Sequence, residues 1–219
     1  MNRNTSIGLF LIVMGISLMT MVSRYRPDED EDGGFTKEEL EILDGADSII
    51  RVLTIENPSD LAVLRAPSID FSCEALLSEE FARLAELMVA TVTHPSQDGV
   101  GIAGPQVGLN RRVVAVQRFD KEGYPFEIYP NIHIVWKSDS LKFGPEGCLS
   151  VPDRREDVAR STEIVIEYTA IPGPNAPSGL TSTQDLVTVR DTISGFTAII
   201  FQHEVDHLDG ILYTDRVSE

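Results

Sequence analysis

The sequence predicts an α+β fold, with mixed or antiparallel sheets packed around a central helix that carries the segment HEVDH. Three observations support this. Runs of β-branched and aromatic residues, bounded by Gly, Pro, Asn and Asp, follow one another at 111–119, 126–136, 162–170 and 186–195. Patterns of helical period lie before and after these runs rather than between them, which indicates α+β and not an alternating βαβ array. Finally, a chain of 219 residues, 42% of them hydrophobic, can bury one core without disulfides or a structural metal.

The elements follow in order. IGLFLIVMGISLMTMV, residues 7–22, is an apolar run of 16 residues. A comfortable membrane span wants about 20, so the run suits a short anchor or the apolar part of a signal peptide. Arg24 and Arg26 lie behind it and Arg3 before it, which favours an anchor whose C-terminal side faces the cytoplasm. Export is the alternative. DEDEDGG, residues 28–34, reads as a solvated linker of like charges loosened by two glycines. The expected organisation is therefore a signal or anchor plus acidic linker over 1–34, and one folded domain over 35–219.

Thr36, with Glu39 three positions on, marks the start of a short helix. SEEFARLAELMVATVTH, residues 78–94, is a clear helix, capped by Ser78, with Phe81, Leu84, Ala85, Met88 and Val92 on one stripe that faces the core. His94 ends it and receives no catalytic role. The four strands come next, and IPGPNAPSGLTSTQ (171–184) is a loop between the last two. The final helix opens near Gly195 and carries FTAIIFQHEVDHL.

Charge excludes one class of partner. The formal charge is −17; removing residues 1–34 takes three of the 18 basic and five of the 35 acidic residues, so the body keeps 15 against 30, or −15. A surface this acidic repels phosphate backbones, and direct nucleic-acid binding is not expected. The two cysteines, Cys73 and Cys148, give no disulfide framework. Cys73 reads as a small buried hydrophobe.

Chemistry concentrates in FQHEVDHLDG, residues 201–210. Residues four apart on a helix share a face, so His203 and His207 can bind one ion through imidazole nitrogen, with Glu204 beside it toward a water. The apolar IIF before and LDGIL after place this polar patch inside a buried helix. Unpartnered burial of such groups costs several kcal/mol, which a metal would relieve. A third ligand is needed, and the candidate is Cys148 in GPEGCLSVP (144–152), where an extended segment can aim its thiolate at a pocket. In GVGIAGPQVG (99–108) the glycines allow close backbone approach and Gln106 offers an amide donor. Neither dinucleotide-loop spacing nor a P-loop lysine is present.

The segments GVGIAGPQ, EGCLS and QHEVDHLDG, in that order, together resemble the peptide deformylases, and ENPSDLAVLRAPS (56–68) is similar to that family's N-terminal segment. The resemblance covers roughly Val52 to Val217. It implies that Cys148, His203 and His207 hold one divalent metal, usually iron(II), with zinc or nickel as alternatives. It further implies that Glu204 is general base toward the attacking water and then acid toward the leaving amine. Gln106 and the backbone N–H of Leu149 would stabilise the oxyanion. Gly101 would pair its backbone with an extended peptide, Arg155 would lie near that peptide's backbone, and Val100, Phe196 and Ile199 would line the pocket for the methionine side chain. Asp206 and Gln202 would orient the ligands.

The implied activity is removal of the formyl group from the N-terminal formyl-methionine of new polypeptides. Its partners would be N-formyl-methionyl peptides and nascent chains, with a transient ribosome contact. A membrane tether through residues 7–22 would leave the body facing the cytoplasm. The alternatives are a zinc peptidase of the HExxH type, which leaves the cysteine and glycine motifs unexplained, and a catalytically silent peptide-binding relative. The sequence departs from the family's pattern at Gly104 and Pro105, at Asp153 where a glycine is common, and in a longer loop over 171–184.

Overall fold

Thr36 begins the first helix as its spacing to Glu39 predicts. The Thr36 hydroxyl accepts from the Glu39 N–H at 3.1 Å, and the Glu39 carboxylate accepts from the Thr36 N–H at 2.9 Å. In this computed structural model, which describes residues 33–171 and 186–217, that helix is α1 (Lys37–Asp44). Glu39 also receives the Arg111 guanidinium at 2.8 and 3.0 Å in a buried setting, and Arg111 lies over the Phe71 ring at 5.5 Å. A buried ion pair that loses one partner is strongly destabilised. Glu39→Ala is therefore expected to lower the unfolding free energy by about 3 kcal/mol in urea denaturation. A loss within measurement error would show that the pair contributes nothing.

Gly33 and Gly34, placed by the sequence in the linker, make contacts on the body. The Gly33 carbonyl accepts from the Ser72 N–H at 2.9 Å, and Gly34 accepts from Arg111. Gly33 has φ +70, and an added Cβ would stand 2.6 Å from the Ser72 nitrogen, so glycine suits this contact. The apolar run 7–22 and the acidic residues 28–32 lie outside the described residues, as does nearly all of the 171–184 loop.

Two short helices that the sequence reading lacked come next: α2 (Pro58–Leu64), capped by Asn57 with Pro at its first position, and α3 (Cys73–Leu76), capped by Ser72. Cys73 corrects its expectation. It opens α3 facing solvent and is exposed. The predicted long helix is α4 (Glu79–Thr93), capped by the Ser78 hydroxyl, with Phe81, Leu84, Met88 and Val92 buried as expected.

The strands form three antiparallel groups. β1 (Gly101–Ala103), β2 (Val113–Gln117) and β3 (Phe126–Pro130) make one sheet in that order. β4 (His133–Lys137), β7 (Glu163–Ala170) and β8 (Val187–Ser194) make a second, with β7 central. β5 (Leu141–Cys148) and β6 (Val151–Ser161) form a ribbon. The predicted strand 126–136 is thus two strands in different sheets. Asn131 makes the corner at φ +52, a conformation asparagine tolerates. Its side-chain amide exchanges two hydrogen bonds with the Phe71 backbone, at 2.8 and 2.9 Å.

The last helix, α5 (Gly195–Leu208), begins at Gly195 as expected. The first sheet divides the core. On β2, Val113 and Ala115 face a cluster built with Leu84 and Met88 of α4, while Val114 and Val116 face one built with Phe201 and Val205 of α5. From Ile200 to Leu208 every residue of α5 is buried, so the helix runs through the body instead of lying on it. Among the described residues no helix is long and apolar enough to cross a membrane.

Candidate active site

Two elements bring the predicted ligands together. His203 and His207 project from one face of α5, and Cys148 ends β5, where the strand register slips between Gly147 and Cys148 before the Leu149–Ser150 turn. One ligand atom from each residue lies within 4.8 Å of the others. The Cys148 Sγ stands 3.2 Å from His207 Nε2 and accepts from the Ser150 N–H at 3.4 Å.

Gln106 sits in a short 3-10 turn (Gly104–Val107) that follows β1. Its Oε1 accepts from the Ala103 N–H at 2.9 Å, which fixes the amide's orientation. Its Nε2 then points at the site, donating to Ser150 Oγ at 3.2 Å and to Cys148 Sγ at 3.5 Å. Glu204 lies across from it, under β1. A Cβ at Gly101 would stand 2.5 Å from Glu204 Oε1, so the carboxylate occupies the space that any larger residue would need. Glycine at 101 is required by this contact.

Electrostatics separate the charged groups. Burial pushes the Glu204 carboxyl up to about 7, against the pull of His203 and His207. Burial alone would raise the Cys148 thiol, but the charges and hydrogen bonds of His207 and His203 outweigh it and hold the thiol well below its usual range. The thiolate so favoured is the form of cysteine that ligates a metal. Glu204 Oε2 and His207 Nδ1 are buried with no hydrogen-bond partner among the described residues. A thiolate, two imidazoles and an unpartnered carboxylate oxygen fit a divalent metal with an open position.

A charged partner of the ligands escaped the sequence reading. Glu146, two positions before Cys148, accepts from His203 Nδ1 at 2.7 Å and from Arg160 at 2.8 and 3.0 Å. Burial opposes its charge, yet His203 and Arg160 hold it down at about 2. It fixes the His203 ring, leaving the far nitrogen for the site. Gln202 does not reach the ligands. Its amide bonds the Ser161 backbone at 2.8 and 3.1 Å, tying α5 to β6.

An open cavity of about 820 Å³ lies over these groups. Val100, Gly101, Gln106, Leu149, Arg155, Phe196, Ile199, His203 and Glu204 all line it. Ile200 and Val151 add apolar wall that the reading did not name. His207 stands behind Cys148, outside the lining, and Phe196 is half-exposed at the rim. Asp153, at the position where glycine is common, has φ +56.

A family profile described as polypeptide deformylase matches residues 49–219, leaving α1 outside the match. A peptide deformylase of Leptospira biflexa is 33% identical over 177 residues, covering 78% of this chain and 88% of that protein. One from Caulobacter vibrioides is 31% identical over 173 residues, covering 78% and 89%. Among solved structures, the class I type b peptide deformylase of Acinetobacter baumannii with Met-Ala-Ser bound is 32% identical with a TM-score of 0.63, covering 77% of this chain and 98% of that one. The peptide deformylase of Thermotoga maritima is 29% identical with a TM-score of 0.62, covering 78% and 99%.

Proposed function

Because the chain belongs to the polypeptide deformylase family, and is thereby an enzyme that removes the formyl group from polypeptide N-termini with a metal ion, we propose that Cys148, His203 and His207 hold that ion and that Glu204 moves the proton. The observation that supports this reading best is the meeting of three ligand atoms within 4.8 Å beside a buried, unpartnered carboxylate oxygen. The ion is iron(II), with zinc or nickel as substitutes the same donors accept.

When bound, such an ion would supply Lewis acidity, lowering the proton loss of water to near neutrality. Glu204 takes that proton as the water oxygen bonds to the formyl carbon. A carboxyl held near 7 suits both accepting this proton and releasing it. The formyl oxygen, now negative, receives hydrogen bonds from Gln106 Nε2 and the Leu149 N–H. Gln106 is oriented beforehand by Ala103, so little is spent on reorganisation. Glu204 then gives the proton to the nitrogen, the C–N bond breaks, and formate and a free amino terminus leave.

The substrate's backbone lies along Gly101 of β1 as an added strand. Val100, Phe196 and Ile199 take the methionine side chain, and Arg155, exposed at the rim, lies near the peptide backbone. The full chain, loaded with iron(II) under anaerobic conditions, is expected to release formate from formyl-Met-Ala-Ser. Cleavage of unformylated peptides without formate release would favour the zinc-peptidase alternative, and binding without turnover the silent one.

The body is further proposed to face the cytoplasm, tethered through residues 7–22, since formylated nascent chains are made there. Deletion of residues 1–32 spares the docked Gly33 and Gly34. It is expected to move the protein from the membrane fraction to the soluble fraction and to leave turnover within about two-fold. A full-length protein found in the soluble fraction with its N-terminus intact would sink the tether.

A further inference from the structure

We infer that Arg216, beyond the end of α5, is a positioning residue for His203, acting through a continuous series of ion pairs that runs Arg216–Asp206–Arg160–Glu146–His203. The inference rests on the ligand set proposed above. It adds a residue from the C-terminal segment that touches neither the ligands nor the cavity.

The geometry is unbroken. Arg216 donates twice to Asp206, through Nη2 to Oδ1 at 2.7 Å and through Nε to Oδ2 at 3.0 Å. Arg160 Nη1 donates to the same Asp206 Oδ2 at 2.5 Å. The other edge of the Arg160 fork, Nε and Nη2, holds both oxygens of Glu146. Glu146 Oε2 accepts from His203 Nδ1 at 2.7 Å. The Arg160, Glu146 and Asp206 side chains are 3%, 8% and 5% exposed, whereas Arg216 is 40% exposed and closes the series at the surface.

Two carboxylates are thus balanced by two guanidinium groups, and each guanidinium is needed. Without Arg216, Asp206 keeps Arg160 as its hydrogen-bonded cation with Lys137 as a further charge, and Arg160 must serve as guanidinium partner to two buried carboxylates. The fork is rigid, so a closer approach of Arg160 Nη1 to one carboxylate shifts the Nε and Nη2 edge that holds the other. As Asp206 draws Arg160 over, Glu146 loses part of its bidentate clamp. The bond that fixes the His203 ring is then free to turn, and ligand-orienting partners of this kind govern metal affinity. A nearby pair supplies a control. Arg65 binds Asp215 and the Gly210 carbonyl, holding the same segment to the end of α2 through hydrogen bonds that are separate from the series.

The test uses the full chain with cobalt(II), read by competition against a chelator and by the visible spectrum, with thermal unfolding of the metal-free protein alongside. Arg216→Gln is expected to bind cobalt at least about ten-fold more weakly than wild type and to alter its spectrum. Arg65→Gln should keep wild-type affinity and spectrum while losing at least as much thermal stability. Arg216→Lys, which restores the charge but not the fork, should lose about three-fold in affinity. If Arg216→Gln does not fold, Arg216→Lys against Arg65→Gln decides alone. Unchanged cobalt affinity in the Arg216 variants overturns the inference, and so does an equal loss in Arg65→Gln, because packing of the segment would then explain the effect. A wild-type chain that binds no cobalt would overturn the ligand set as well, which separates that failure from this one.

Discussion

Glu204→Gln is expected to reduce turnover of formyl-Met-Ala-Ser by about a hundred-fold or more while the protein keeps one equivalent of metal. The amide has the carboxylate's size, so it fits the space beneath Gly101 that the side chain fills. What it lacks is the ability to accept a proton. Burial supplies the reason for a large effect: it lifts the Glu204 carboxyl to about 7, which matches a group that must take and return one proton at neutral pH. Elemental analysis and single-turnover formate release on the same preparation check the two halves. A variant turning over at the wild-type rate would make Glu204 a bystander.

The second large effect concerns the ligands. Cys148→Ala, His203→Ala or His207→Ala should each yield protein without stoichiometric metal and without measurable turnover, because three protein donors define such a site and two rarely suffice. The three are not equivalent in what they leave behind. His203→Ala strands the buried Glu146 with Arg160 as its remaining charged partner, so it should also lower the thermal midpoint of the metal-free protein. Cys148→Ala removes a group that His207 Nε2 approaches at 3.2 Å, and leaves Glu146 untouched. Full metal content in any one variant removes that residue from the set.

Much of the site was legible because its signals are local. His203, Glu204 and His207 share one helix, and Gln106 and Gly101 lie five residues apart on one loop and strand. α1 and α4 were legible for the same reason, each opening on a hydroxyl cap. Glu146 was missed because its partners are His203, 57 residues away, and Arg160, 14 away across the β5–β6 ribbon. A signal existed: a ligating histidine needs an acceptor for its second nitrogen, and a glutamate stands two residues before Cys148. The ribbon was hidden too. VPDRREDVARS is mostly polar, without the alternation that marks a half-buried strand, since Arg160 is buried through its ion pairs and not through apolar surface. The corner at Asn131 looked like continuous strand because its neighbours on both sides are apolar.

Gly101 bears on how this enzyme would answer a drug. A compound that mimics an extended peptide along β1 gains its grip from backbone groups, which mutation does not alter. The usual escape, a bulkier residue that blocks the inhibitor, is closed here: a Cβ at 101 would lie 2.5 Å from Glu204 Oε1 and displace the carboxylate proposed to move the proton. Resistance under such selection would have to arise at the rim, where half-exposed Phe196 and exposed Arg155 can change without disturbing Glu204. Inhibitors that rely on the strand at Gly101 and avoid both rim side chains would leave the fewest routes of escape.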